Sequence, residues 1–260
     1  MKIHNLHLSI LILSGLFFFI SCKKDKAVPK NNLAIPAPEL PQEPGIYIPA
    51  KLVTGKSNMI FSYTSTAALS KVNYENGDST VLKFNADGKP VEFRRYEDGK
   101  LVADTYYSRN ANGFVIKAQM YLVTGKDQVK SGSYSVAYDS GGQITGVSYY
   151  DKNNRLMEEQ QYGYSLSGNL SVQKSIVLNA NYGYDLKNGL FKHVGYAWLF
   201  ALEKESCLFL SAVNNIQECN YPQETASNQM LSYKYNTAGY PTTITITALG
   251  VTTTTKVTYQ

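Results

Sequence analysis

Along most of the chain, apolar and polar residues alternate one for one in short runs. Val72 and Tyr74, Leu82 and Phe84, and Ile244 and Ile246 each bracket a single polar residue. A period of two sends successive side chains to opposite faces of a strand, so these runs predict half-buried β-structure. Turn formers part the runs: Asn76-Gly77, Asp87-Gly88, Asp98-Gly99, Asn112-Gly113, Gly141-Gly142, Asn153-Asn154 and Ser167-Gly168 recur, mostly eleven to fourteen residues apart. Such pairs suit hairpins because both central positions of the favoured turn need positive φ, which Gly, Asn and Asp tolerate best. The expected fold is all-β over residues 51–260, an antiparallel meander of repeated hairpins forming one large curved sheet.

One segment breaks that rhythm. From Val194 to Glu205 the apolar residues fall three and four apart with no turn signal, which predicts a short helical insert. Tyr196, Leu199, Phe200 and Cys207 would share one face, with Glu203 pointing away. The simplest role for that face is to cover a side of the sheet. The other is an exposed aromatic platform around Trp198, the single tryptophan.

The first residues follow a different pattern. An apolar run from Leu6 to Ile20 ends on Ser21-Cys22, and Lys23-Lys24 follows at once. About fifteen residues fall short of the roughly 20 that a membrane-crossing helix requires. The arrangement resembles the lipobox of bacterial lipoproteins. That resemblance implies a signal peptide at 1–21, cleavage before Cys22, acylation of Cys22, and a partner in the membrane, the outer membrane of a cell envelope, through the lipid. Residues 22–50 carry Pro29, Pro36, Pro38, Pro41, Pro44 and Pro49, a composition that predicts an extended tether holding the folded part off the membrane. In an exported chain Cys207 and Cys219 are compatible with a disulfide and equally with two buried thiols.

Aligning the turns exposes an internal repeat: an aromatic residue, a polar one, and a glycine four positions after the aromatic. Phe84 to Gly88, Tyr138 to Gly142, Tyr164 to Gly168 and Tyr235 to Gly239 all obey it. These hairpins resemble the YD repeats of RHS-type bacterial proteins. The chain is also similar to a family of Gram-negative lipoproteins of unknown function that shares a K-x-N-P-F-like element, a following Asn-Asn and a Y-x-Y-N-x-x-G-Y-P segment. Here these are Lys187 to Phe191, with Gly189-Leu190 where the family has Asn-Pro, then Asn214-Asn215, and Tyr233 to Pro241. The family carries no agreed activity.

Candidate chemistry is thin. After removal of residues 1–21, His193 is the sole histidine, which leaves no multi-histidine metal site and makes any Ser-His-Asp arrangement depend on one side chain. Glu158, Glu159, Glu203 and Glu205 supply carboxylates, but adjacent residues of a strand face opposite sides and cannot flank one bond. No phosphate-cradling or dinucleotide glycine pattern occurs, so no cofactor is expected. The net charge of +5 is scattered, without the basic stripe that nucleic acid requires. Tyrosine stands out, with 21 in the chain. Tyr162, Tyr164, Tyr182 and Tyr184, with Trp198, form a candidate surface for a protein or glycan partner; their other role is cross-strand packing. An integral membrane barrel also alternates apolar and polar residues, but the polar run from Thr242 to Lys256 argues against one. The leading expectation is a non-enzymatic, lipid-anchored binding or scaffold protein. Its alternatives are a carbohydrate-contacting accessory lipoprotein of a nutrient-uptake system and a hydrolase.

Overall fold

The computed structural model describes residues 45–176, 179–203 and 206–260. The expected signal segment, Cys22, the tether up to residue 44 and Glu205 lie outside the described residues. Among the described residues sixteen strands follow one another. The first eight are β1 (Pro49–Thr54), β2 (Ser57–Tyr63), β3 (Leu69–Tyr74), β4 (Ser79–Phe84), β5 (Pro90–Glu97), β6 (Lys100–Arg109), β7 (Val115–Thr124) and β8 (Asp127–Tyr138). The rest are β9 (Ile144–Asp151), β10 (Leu156–Tyr164), β11 (Leu170–Lys174), β12 (Asn179–Tyr184), β13 (Ile216–Asn220), β14 (Gln229–Tyr235), β15 (Pro241–Ala248) and β16 (Val251–Tyr259).

Each strand pairs antiparallel with its sequence neighbours, and β16 returns to β1, joining Leu52 to Val257 and Thr54 to Thr255. The sheet is a closed barrel. All-β architecture and sequential hairpins are as expected, but the open curved sheet is not. Strand twist accumulates around a sheet this wide until its two unpaired edges meet, and closure satisfies backbone groups that open edges would leave bare.

The two ends of the barrel differ in their turns. One carries tight turns such as Asp98-Gly99 and Leu249-Gly250, with all four residues at positive φ. The other carries most of the repeated five-residue turns, Asp151 to Arg155 being one at the first end, and the repeat has a physical cause. In Asp139 to Gln143, the Asp139 N–H donates to the Gln143 carbonyl at 2.9 Å, while its Oδ1 accepts from the N–H groups of Gly141 and Gln143. Asn85, Asn110 and Asn236 close their turns in the same way. The short Asx side chain stands in for a missing backbone partner. Gly142, at φ +83°, occupies a conformation that a side chain strains, and an added Cβ would meet the Phe114 ring at 3.0 Å.

A β-bulge adjoins each of these turns, at Lys83/Phe84, Ala137/Tyr138, Gly163/Tyr164 and Lys234/Tyr235 among others. The bulge sits where the repeat's aromatic residue turns inward. Several tyrosine hydroxyls then tie a strand end back to the start of a nearby strand: Tyr63 donates to the Pro49 carbonyl, Tyr138 to Val115 and Tyr259 to Pro241. Burial pushes the hydroxyl pKa of all three upward and keeps them as donors. Much of the tyrosine content is thus structural.

Sixteen strands enclose a lumen too wide for wall side chains alone to fill. The chain fills it with the segment between β12 and β13. This segment holds a helix α1 (Ala197–Leu202) and a 3₁₀ turn at Cys207–Leu210, placing the expected helical insert at the centre of the core. Phe191 and Phe209 meet Phe61 of β2 edge-on, and Phe200 meets Phe93 of β5 at 5.1 Å between ring centroids. Glu203 reaches β6 and β8, and contact of one segment with β2, β5, β6 and β8 together places it inside the barrel.

The outer wall is mainly polar. Facing pairs between the inward residues include Lys83 and Glu92, Arg94 and Asp104, Lys117 and Ser135, Gln161 and Lys174, and Thr243 and Lys256. A membrane-crossing barrel shows the reverse, an apolar outer band about 25 Å tall around a polar interior. This barrel instead has an apolar interior filled by its own insert and a mainly polar outer wall, on which Ile60, Ile116 and Met230 are exposed apolar exceptions.

Candidate functional site

The three family-like motifs converge at the neck of the insert. Tyr184-Asp185 begins a repeat turn like the others, and Asp185 Oδ1 accepts from Lys187 N–H two residues on. Its second donor, however, is the N–H of Asn215, thirty residues on rather than four. The insert is a repeat turn opened and closed again around a folded segment. Asn215 is fully buried, and its side chain donates to Asp185 Oδ2 and the Asn188 carbonyl and accepts from Leu190 N–H at 2.9 Å. Tyr235 adds a hydroxyl to Asp185, and Asn188 donates to the Ala238 carbonyl. His193 shares a 2.7 Å hydrogen bond with the Tyr240 hydroxyl. These contacts hold the neck shut and leave His193 beside no carboxylate hydrogen-bond partner among the described residues.

Inside the lumen, Glu203 accepts from the hydroxyls of Tyr107 at 2.9 Å and Tyr134 at 2.8 Å, with Thr105 at 3.4 Å. The expectation that Glu203 points away is corrected: the helix ends there, and its carboxylate finds tyrosine donors on the wall. Burial, then the Glu203 charge, drive both hydroxyls well above the ordinary tyrosine range. Glu158 also faces inward. It accepts from Gln160 and Ser175, while Gln160 accepts from Tyr162 and Gln173, and Gln173 from Tyr182. Glu159, opposite Ser148, is exposed on the other face, as alternation requires.

Tyr162, Tyr164, Tyr182 and Tyr184 therefore line the inner wall, and Trp198 is half-buried against the core. Cys207 on the insert and Cys219 on β13 are free thiols in mutual contact; the hydrogen bond with Cys207, then burial, pushes the Cys219 thiol up.

The outer wall holds a cluster that sequence reasoning missed. Glu92 bridges Lys83 at 2.8 Å and Arg94 at 2.7 Å, and Arg94 lies 3.6 Å from Asp104. Tyr106 donates to Asp104 at 3.0 Å, and Gln128 donates to the same oxygen at 3.3 Å. Asp104 is fully buried although it lies on the outer wall, and its Oδ1 has no hydrogen-bond partner among the described residues. Burial raises its pKa, with the Glu92 charge adding to the effect; burial also works to raise Glu92, but hydrogen bonds from Lys83 and Arg94 outweigh it and hold Glu92 low. Beside the cluster, the Tyr106 and Tyr121 rings meet edge-on at 5.7 Å, and Tyr106 is exposed. The signal in the sequence is Glu92-x-Arg94 and Asp104-x-Tyr106 on either side of Asp98-Gly99, a hairpin whose register brings the pairs together.

No protein-family profile matches the chain, and no curated protein matches it. Solved structures do. A porin-like protein from Bacteroides uniformis is 12% identical and superposes with a TM-score of 0.54, over 81% of this chain and 95% of that one. A porin-like protein from Bacteroides vulgatus is 11% identical with a TM-score of 0.41, over 82% and 99%. The Tc holotoxin pore of Photorhabdus luminescens is 12% identical with a TM-score of 0.27, over 77% of this chain and 11% of that one. The first of these is a likeness of fold.

Proposed function

We propose that the protein is a lipid-anchored component of the bacterial cell envelope that binds or scaffolds a partner without catalysing a reaction. The observation that carries this reading is a barrel filled by its own insert and polar on its outer wall. A filled lumen offers no passage, and a polar wall gains nothing from a bilayer, so attachment falls to the lipobox-like Leu16 to Cys22 and recognition to the outer surface. The porin-like fold and the YD-type hairpins agree with an envelope role. In the described part His193 serves Tyr240 and Glu203 serves Tyr107 and Tyr134, which supports a structural role for each rather than a catalytic one. Cys22→Ala is expected to abolish incorporation of an acyl-chain label and leave the precursor uncleaved. Equal labelling of both proteins would remove the anchor.

A second reading follows from the outer-wall cluster. Exposed aromatic rings beside fixed carboxylates and a guanidinium are suited to a sugar, whose ring faces stack and whose hydroxyls hydrogen-bond. A Tyr106→Ala, Tyr121→Ala double variant is expected to lose tenfold or more of its affinity for an envelope glycan in titration calorimetry. Unchanged affinity would move the glycan elsewhere.

A further inference from the structure

The end of the barrel that carries the neck is also the end where the chain arrives from residue 44: Ile48 accepts from the N–H of Gln260 there, and β1 starts at Pro49. That end exposes apolar tips. Leu166, at the tip of the β10–β11 turn, is fully exposed, and Leu186, the first residue past Asp185, is 96% exposed. The two tips belong to one patch, because Asn169 and Asn214 hydrogen-bond reciprocally at 2.8 and 3.1 Å and join the turn to the neck. Leucines this bare at turn tips gain nothing from folding.

The same end carries cations. Lys187 and Lys192 are exposed on the neck. Between the turns 85–89 and 110–114 lies a cleft of about 450 Å³ lined by Lys89, Arg109, Asn85, Asn110 and Asn112, with Asp87 its one acid. Gly113 shapes this cleft: a Cβ there would come within 3.1 Å of Lys89 Cε, so the lysine stem lies across the bare backbone. The opposite end also exposes apolar tips, Ile176 and Leu249, but its turns hold more acids, Glu75, Asp78, Glu97, Asp98, Asp127 and Asp151 among their lysines, against the exposed Asp87 and Asp139 here.

We propose that the neck end is a membrane-docking face that seats on an anionic phospholipid surface, with Leu166 and Leu186 entering the interface and Lys89 and Arg109 receiving headgroup phosphates. Apolar tips and cations on one end of the barrel are what an interfacial contact requires: the tips bury methylene groups and the cations meet the negative surface potential. The orientation rests on the anchor reading above, since acylated Cys22 would bring this end to the bilayer. The tether then sets a maximum reach rather than a standoff. The acid-bearing end faces away and stays open to partners.

Two measurements separate the face from the anchor. First, the acylated chain is reconstituted into phosphatidylethanolamine–phosphatidylglycerol vesicles with brominated acyl chains, in a Trp198→Phe background. A Leu186→Trp reporter is expected to be quenched at least twofold more than a Leu156→Trp reporter at the opposite end; equal quenching, or the reverse order, overturns the proposal. Second, the mature chain carrying Cys22→Ser, which has no acyl acceptor and keeps Trp198, is floated with phosphatidylglycerol vesicles. It is expected to float partially and to lose at least fivefold of that fraction with either Leu166→Ser and Leu186→Ser or Lys89→Glu and Arg109→Glu. Flotation that neither pair changes overturns the face even where the anchor stands. Flotation lost with both pairs upholds the face even where Cys22 proves not to be acylated.

Discussion

Replacing Asn215 by alanine is expected to lower the stability of the fold by at least about 3 kcal/mol, measured as a shift of the urea midpoint. The asparagine is fully buried, and its side chain serves Asp185, the Asn188 carbonyl and the Leu190 N–H at once. Truncation leaves buried donors and acceptors with neither protein nor water, at roughly 1–3 kcal/mol for each. It also frees the neck that seats the insert. Asn214, its neighbour, is half-buried and bonds to Asn169 and the Lys187 carbonyl nearer the surface, so Asn214→Ala is expected to cost about 1 kcal/mol. Equal losses for the two would mean that the neck does not hold the insert in place.

Phe200→Ala is expected to cost about 3–5 kcal/mol, the range for removing a buried phenyl ring. Phe200 lies at the centre of the lumen, with Phe93 of the wall on one side and Phe209 of the insert 5.3 Å away on another. The surrounding strands are fixed by their ladders and cannot collapse into the space. Trp198, two residues earlier on the same helix, is half-buried, and its truncation is expected to cost less than that of Phe200. A larger loss at Trp198 would mean that α1 turns its other side to the core.

The periodicity of two and the spaced turns make the hairpins legible, because both are local: alternation sets the faces and Asn-Gly or Asp-Gly sets the reversal. Closure is not local. Whether β16 meets an edge or solvent depends on twist summed over the whole sheet, and no residue of β1 or β16 announces it. The helical insert shows in the spacing of Tyr196, Leu199 and Phe200, yet its place inside the lumen depends on closure and was hidden with it. Glu203 illustrates the consequence. On an isolated helix it belongs to the polar side, whereas within a barrel that side meets Tyr107 and Tyr134. The motifs at Lys187 to Phe191, Asn214-Asn215 and Tyr233 to Pro241 stand out in the chain; only the fold brings them together as the neck. The outer-wall cluster escaped notice because Glu92, Arg94 and Asp104 read singly as ordinary solvated charges. Their pairing needs the register of β4, β5 and β6.

The central claim is that this barrel is a filled, water-soluble body rather than a conduit. The most direct test is to express the chain from Lys23 onward, without an acyl acceptor, purify it with no detergent, and record planar-bilayer conductance after adding it to both chambers. Cooperative unfolding in plain buffer and a flat current trace are expected. A chain that aggregates until detergent is added and then gives stepwise conductance would contradict the filled lumen and the polar wall together.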